Sequence, residues 1–167
     1  MPMDLIVYAD GRATWGRRKF RAALGLAGIS EDKREGDHAT PVGAFLMRDV
    51  LYRPDRIGAP ATPLKTRALA AEDGWCDAPE DPAYNRPVRL PYGASAERLW
   101  RSDHIYDVIV PLGYNDDPVV AGRGSAIFLH VARRDYSGTE GCVALALADL
   151  LRVLAEAEIS SRVIVGD

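Results

Sequence analysis

Apolar and polar residues alternate along several short stretches of the chain, a period of two that predicts β-strands. The stretches run from one end of the chain to the other: Asp4 to Tyr8, Arg12 to Phe20, Ala44 to Val50, Tyr106 to Leu112, Ala126 to Val131 and Arg162 to Val165. Ala9-Asp10-Gly11 predicts a hairpin turn between the first two, and Arg21 to Gly25 predicts a further short strand. The 15 Gly and 11 Pro are spread along the chain and favour short strands and turns over a helix bundle.

Two stretches predict helices. Leu147 to Ala157 places Leu150, Leu151 and Leu154 at helical spacing, and Ala94 to Trp100 predicts a brief helix with a serine near its start. The middle third of the chain, to about Pro91, predicts irregular structure, and long irregular segments of compact domains often form lids or groove walls. The polar run from Ser30 to Gly43 is compatible with a solvated loop or a functional one.

Composition and charge limit the class of protein. The length of 167 residues, with 47% hydrophobic residues, fits a single domain over residues 1–167. The net charge of −3 argues against a nucleic-acid-binding domain, and no apolar run is long enough to predict a membrane span. The N-terminus lacks the pattern of a secretory signal. This leaves open a cytoplasmic protein, export by another route, or a leader outside this sequence.

The candidate chemistry lies between residues 126 and 147. His130 ends an apolar, strand-like run, and Cys142 follows Gly141 twelve positions later. A cysteine that an imidazole can reach is a candidate nucleophile with its base. Gly138 and Gly141 permit a close approach, so the backbone N–H groups of Gly141 and Cys142 can point at a developing oxyanion. A buried cysteine beside a turn, with His130 ending a strand, explains the same residue types, and both interpretations stay open at this point.

Other residues receive narrower predictions. Cys76 has no neighbouring glycine turn and is predicted to be structural, while His38 and His104 lack metal-ligand spacing, so we expect no metal site. Guanidinium groups suit carboxylate ligands, and Arg123 is favoured among them because it precedes the His130 strand. The full set of candidate arginines is Arg86, Arg101, Arg123, Arg133 and Arg134, and the candidate groove residues are Tyr84, Asn85, Tyr114 and Asn115.

The motif Ile127-Phe-Leu-His130, followed by Thr139-Glu-Gly-Cys142 and a leucine-rich helix, resembles the L,D-transpeptidase (YkuD-like) catalytic domain. Lys33-Arg-Glu-Gly-Asp, Thr40-Pro-Val-Gly43, Tyr114-Asn115 and Gly122-Arg123-Gly124 extend the resemblance to residues 4 to 165. It implies a mainly β fold, a sandwich of two packed mixed sheets with one or two short helices.

The resemblance also implies the chemistry. Cys142 would be the acylated nucleophile, His130 the base held by the main-chain carbonyl of Val131, and Gly141 part of the oxyanion hole. The implied partners are peptidoglycan stem peptides in the periplasm or cell envelope, with no cofactor. A monomer is favoured.

The sequence differs from most members of that family in three respects. Glu140 replaces a histidine before Gly-Cys, Ala144 replaces an arginine, and the loop after His130 is short. We therefore expect a divergent branch, with cross-links of a non-standard type possible. The main hypothesis is a transpeptidase. The alternatives are an L,D-carboxypeptidase or amidase with the same dyad, and a non-catalytic cell-wall-binding module.

Overall fold

Short strands dominate the computed structural model, which describes all residues from Met1 to Asp167. The only helix is α1, Leu147–Glu156. The strands are β1 Leu5–Tyr8, β2 Arg12–Trp15, β3 Arg18–Ala23, β4 Ile29–Ser30, β5 Thr40–Pro41, β6 Gly43–Leu46, β7 Val50–Tyr52, β8 Thr66–Ala68, β9 Asp73–Cys76, β10 Pro87–Arg89, β11 Ala96–Arg98, β12 Val108–Pro111, β13 Phe128–Val131, β14 Val143–Leu145 and β15 Arg162–Gly166.

Ten of these strands form one mixed sheet in the order β6-β15-β1-β2-β3-β14-β13-β12-β7-β8. The β1–β15, β13–β14 and β7–β8 pairs are parallel, and the other pairs are antiparallel. The sheet curls, because the Gly113 N–H donates to the Leu46 carbonyl at 2.8 Å and Met47 forms an isolated bridge with Leu112. The edge strand β6 therefore lies beside the end of β12, and the two halves of the sheet enclose a core.

The apolar positions of the alternating pattern fill this core. Leu5 and Val7 of β1 and Leu129 of β13 are fully buried in one cluster, with Leu150 and Leu154 of α1 packed against them. This is the arrangement that a period of two predicts, with one face of each strand turned inward. The mainly β fold is confirmed, and the two predicted sheets are the two halves of one continuous sheet.

A small sheet of order β10-β9-β11 lies over the opposite face of β12 and β13. Beneath it is a second buried cluster that includes Phe128, Ile109, Leu99 and Tyr106, with Trp75 packed against it. The Trp75 ring meets the Phe128 ring edge-on, with centroids 5.1 Å apart. The small sheet thus forms a wall above the face of β13 that carries Phe128 and His130.

Several sequence predictions are corrected. Arg12 to Phe20 is two strands, β2 and β3, because Gly16 at φ 59° makes a tight turn between them. Ala44 to Val50 divides into β6 and β7, which join different parts of the sheet. Ala94 to Trp100 contains the strand β11, which pairs with β9 and forms no helix. The helix over Leu147–Glu156 is confirmed. The helix α1 lacks the length and the apolar character needed to cross a bilayer.

Candidate active site

The register of β13 and β14 brings His130 and Cys142 onto one face of the sheet. Leu129 pairs with Val143 and His130 pairs with Ala144. Cys142 lies two residues before Ala144, so its side chain shares the face of His130. Such diagonal neighbours on adjacent strands lie about 7–8 Å apart at Cα, within reach of an imidazole and a thiol. Both side chains line one cleft of about 340 Å³.

The thiol of Cys142 is buried and held by the backbone of the strand beside it. Its Sγ donates to the Ala126 carbonyl at 3.2 Å and accepts the Phe128 N–H at 3.4 Å. Burial, with the negative charge of Glu97 acting in the same direction, raises the pKa of this thiol to about 12. Cys142 is therefore a neutral thiol at neutral pH.

His130 is oriented by the backbone of its own strand. Its Nδ1 lies 3.0 Å from the Val131 carbonyl, which can only accept, so Nδ1 carries the proton and Nε2 keeps its lone pair. The ring packs edge-on against Tyr106, with centroids 5.3 Å apart. Burial lowers the pKa of His130 to about 4, and the positive charges of Arg101 and Arg133 act in the same direction. The imidazole is thus a neutral base with a fixed tautomer.

These two environments favour general-base chemistry over a preformed ion pair. Because both groups are neutral at rest, an attack by the Cys142 sulfur would require the thiol to lose its proton to a base, and the neutral His130 imidazole is the base that the arrangement offers. The N-terminus of α1 lies too far away to lower the pKa of the thiol. Strand β14 separates it from Cys142, and three strand residues span about 10 Å.

The backbone of Cys142 is fixed by two threonine hydroxyls. Its carbonyl accepts from Thr139 Oγ1 at 2.8 Å and from Thr40 Oγ1 at 3.3 Å. The Gly141 N–H donates to Thr139 Oγ1 at 3.1 Å, whereas the Cys142 N–H has no acceptor within the protein. Gly141 has φ 138°, and a Cβ there would lie 2.8 Å from the Ala39 carbonyl oxygen. Glycine is therefore required at this position. Of the two N–H groups predicted to form the oxyanion hole, that of Gly141 is already bonded to Thr139, and only that of Cys142 is free.

The polar loop between β4 and β6 forms one side of the cleft. Lys33, Glu35, Gly36 and His38 all line it, which favours the functional interpretation of this segment. Lys33 is 4% exposed and pairs with Asp37. Its charge partly offsets the effects that raise the pKa of Cys142.

The remaining charges of the cleft are of both signs. Of the five candidate arginines, Arg101 and Arg133 line the cleft, and Arg86, Arg123 and Arg134 do not. Arg101 is paired with Asp103 at 2.8 Å. The acidic residues of the lining are Glu35, Asp77, Glu97 and Glu140. The cleft can therefore receive a ligand that carries both carboxylate and ammonium groups.

Asn85 is a buried structural centre behind the cleft. Its Oδ1 accepts from Trp75 Nε1 at 2.9 Å and from the Ala126 N–H at 3.0 Å. Its Nδ2 donates to the carbonyls of Tyr114 and Asn115 at 3.1 and 2.8 Å. All four hydrogen-bonding sites of the amide are used within the protein, and Ala126, which accepts the Cys142 thiol, is held by one of them.

The other five predicted substrate-binding residues also lie outside the cleft lining, and their polar groups are bonded to the protein. Tyr84 is buried, donates to Glu35 at 2.7 Å and accepts the Gly124 N–H at 2.9 Å. The contacts of the rest are Arg123 with Asp32, Tyr114 with the Arg123 carbonyl, Asn115 with the backbone of Val120 and Gly124, and Arg86 with the Asp116 carbonyl. Substrate contact by these residues stays a prediction, since their observed contacts stabilise the wall of the cleft.

Glu97, Tyr106 and Asp77 line the cleft but were not identified from the sequence. Glu97 lies in a segment predicted to be helical, and Tyr106 was predicted only as the first residue of a strand. Cys76 is a buried free thiol of β9, as is expected of a structural cysteine, and Cys142 is also free. No group of three or more His, Cys, Asp or Glu side chains is arranged to hold a metal ion.

Comparison with known proteins gives one matching family. The family model described as YkuD, the L,D-transpeptidase catalytic domain, matches residues 3–165. No curated protein matches the chain.

Solved structures share the fold at low identity. Bdellovibrio bacteriovorus Bd1075 is 12% identical, with 98% of this chain and 47% of that chain covered and a TM-score of 0.51. A mutant of the helical cell shape determining protein Pgp2 from Campylobacter jejuni is 17% identical, with 98% and 46% covered and a TM-score of 0.50. Mycobacterium tuberculosis L,D-transpeptidase 1 is 11% identical, with 99% and 62% covered and a TM-score of 0.45. This chain spans about half to three fifths of those chains. On the family match over residues 3–165, the chain belongs to the L,D-transpeptidase catalytic domain (YkuD) family.

Proposed function

We propose that this protein is a peptidoglycan L,D-transpeptidase that uses Cys142 as its nucleophile and His130 as its base. The single observation that carries the proposal is the orientation of His130. Its Nδ1 is bound to the Val131 carbonyl at 3.0 Å, which leaves Nε2 as a base in the cleft that Cys142 also lines. A base that is held in place by a hydrogen-bond acceptor, as His130 is by the Val131 carbonyl, is the arrangement used in nucleophilic acyl transfer.

The first half-reaction acylates the enzyme. Cys142 Sγ attacks an amide carbonyl of a donor stem while its proton moves to His130 Nε2. The developing oxyanion accepts a hydrogen bond from the Cys142 N–H, which has no acceptor within the protein. The C–N bond then breaks, and the leaving amine takes the proton from the imidazolium, so a thioester remains on Cys142.

The second half-reaction transfers the acyl group. An amine of a second stem attacks the thioester carbonyl, His130 accepts a proton from the attacking nitrogen, and the thiolate leaves and is reprotonated. The product is a cross-link between two stems. Water in place of the amine gives a shortened stem, which is the carboxypeptidase alternative.

The charges of the cleft suit this substrate class. Stem peptides carry carboxylates, and the Arg101, Arg133 and Lys33 side chains supply cations at the lining. The site of action that follows from this chemistry is the cell envelope, where peptidoglycan is found, and the chain is expected to act as a monomer.

The test is product analysis with a disaccharide-tetrapeptide as both donor and acceptor. The wild-type protein should form a cross-linked dimer, and Cys142→Ala should form none. Cys76→Ala is the matched control, because it removes the other buried thiol and should keep the reaction. A shortened monomer without dimer would assign hydrolysis, and unchanged substrate with the wild-type protein would support the non-catalytic alternative.

A further inference from the structure

Glu97 is a half-buried carboxylate that faces the candidate active site without a cationic partner. It lies on β11 opposite Trp75 of β9, and it lines the same cleft as Cys142 and His130. The Tyr106 hydroxyl donates to one of its carboxylate oxygens, Oε1. No protein group donates to Oε2, and no salt bridge includes Glu97. One oxygen is therefore fixed while the other is available to a ligand.

Asp77 supplies a second acceptor at the same place. It follows β9 directly, and the pairing of Cys76 with Ala96 places it on the same face of the small sheet as Glu97. It also lines the cleft, and its Oδ1 is buried with no hydrogen-bond partner. Buried acceptors in proteins nearly always have a donor, so the unpartnered Asp77 Oδ1, on the same face as a free carboxylate oxygen, is available to accept from a ligand.

The chemistry of that donor follows from the two carboxylates. A ligand group with several N–H donors and a positive charge satisfies both acceptors, and a primary ammonium has three donors. We propose that Glu97 and Asp77 form the subsite for the ammonium of the acceptor stem, and that Glu97 takes the proton the ammonium must lose before it attacks. This inference rests on the proposed transpeptidase function and specifies how its second substrate is received.

The proton transfers balance over the second half-reaction. The acceptor ammonium gives one proton to the Glu97 carboxylate and becomes an amine. Its nitrogen forms a bond to the thioester carbonyl carbon and gives a second proton to His130 Nε2. The C–S bond breaks, the Cys142 thiolate takes the proton from the imidazolium, and Glu97 releases its proton to solvent.

The surroundings of Glu97 suit a base of this kind. Burial raises its pKa to about 7, although the Tyr106 hydroxyl opposes the shift, so the carboxylate can accept and release a proton near neutral pH. The titratable or charged groups that act on it are Tyr106, Glu140, Arg101, Asp77 and Cys142. The same negative charge raises the pKa of Cys142. Glu97 therefore opposes acylation and assists aminolysis, two effects of opposite sign.

That opposition supplies the test. Glu97→Gln keeps an acceptor for Tyr106 and removes the charge. Its rate of acylation by a carbapenem, followed by intact mass, should be at least that of the wild type. Its ratio of cross-linked dimer to hydrolysed stem, with a tetrapeptide donor and a stem-peptide acceptor, should fall at least about a hundredfold, the low end of the about 10²–10⁴-fold that a lost general base costs. Asp77→Asn should raise the acceptor concentration needed for half-maximal transfer.

Glu140→Gln is the matched control, because it removes another acidic charge of the same lining that also acts on Cys142. It should change acylation in the same direction as Glu97→Gln and lower the dimer-to-hydrolysis ratio by far less than Glu97→Gln does. If Glu97→Gln does not fold, Glu97→Asp, which keeps the charge on a shorter side chain, should give a reduced ratio. An unchanged ratio in both Glu97 variants, or an equal fall in Glu140→Gln, would overturn the subsite. Absence of any acyl-enzyme in the wild type would instead refute the transpeptidase function itself.

Discussion

Replacement of Gly141 by alanine should damage both the stability and the chemistry of this protein. Gly141 has φ 138°, and an added Cβ would lie 2.8 Å from the Ala39 carbonyl oxygen and 3.2 Å from Lys33 Nζ. The Ala39 atom belongs to the backbone and cannot move aside as a flexible side chain does. The substitution therefore combines backbone strain with overpacking directly before the nucleophile.

The two costs can be estimated separately. A side chain in a sparsely populated φ/ψ region costs about 1–3 kcal/mol, and overpacking in a tightly packed site costs about 1–3 kcal/mol. We expect Gly141→Ala to lower the free energy of unfolding by about 4 kcal/mol, the middle of the summed range. For a chain of this size, this corresponds to a fall in Tm of about 8–16 °C.

A matched variant separates strain from the steric clash. Gly122 also has a positive φ, 80°, but nothing lies within 4 Å of an added Cβ. Gly122→Ala should cost only the left-handed backbone penalty, about 1–2 kcal/mol. Thermal unfolding by circular dichroism, combined with the rate of carbapenem acylation, compares the two. Gly141→Ala should acylate at least tenfold more slowly, and Gly122→Ala at the wild-type rate. Equal Tm values and equal acylation rates in the two variants would refute the steric argument.

Three further predictions follow from the contacts of the site. His130→Gln should slow acylation by about 10²–10⁴-fold, the usual contribution of a general base, and an effect below threefold would contradict that role. Because burial lowers the pKa of His130 to about 4, its base form persists as pH falls; the acid limb of the pH profile for acylation should lie near pH 4, and a limb near 6.5 would contradict a buried base. Asn85→Leu leaves the Trp75 Nε1–H and the Ala126 N–H unpaired. At about 1–3 kcal/mol for each buried donor, the substitution should lower the free energy of unfolding, measured with denaturant, by about 2–6 kcal/mol. A decrease below about 1 kcal/mol would contradict the structural role of Asn85.

The sequence predicts the strands that carry the chemistry because their pattern is local. The alternation of Ala126 to Val131 assigns Phe128 and His130 to one face and Leu129 to the other, and the structure places them in this way. The spacing of leucines after residue 147 likewise predicts α1. Both signals are complete within one element, so no tertiary information is needed.

The walls of the cleft depend on contacts between distant parts of the chain, which a local pattern does not contain. Residues 94 to 100 have the composition of a helix, yet β11 forms because β9 offers an edge to pair with. Tyr84 and Asn85 have the polarity of groove residues, but their polar atoms turn inward to partners 29 to 49 positions away in the sequence. Glu97 was missed because the pairing of β11 with β9 is not visible in the local sequence. The groove residues were predicted from their polarity, which does not show that their polar atoms turn inward.

The most direct test of whether Cys142 is the acylated residue is incubation with a carbapenem, followed by intact-mass analysis and peptide mapping. Both cysteines of the chain are free and buried, so Cys76 is an internal control for non-specific modification. If Cys142 is the nucleophile, we expect one adduct, on Cys142, that persists in Cys76→Ala and is absent from Cys142→Ala. An adduct on Cys76, or turnover of a stem-peptide donor by Cys142→Ala, would contradict it.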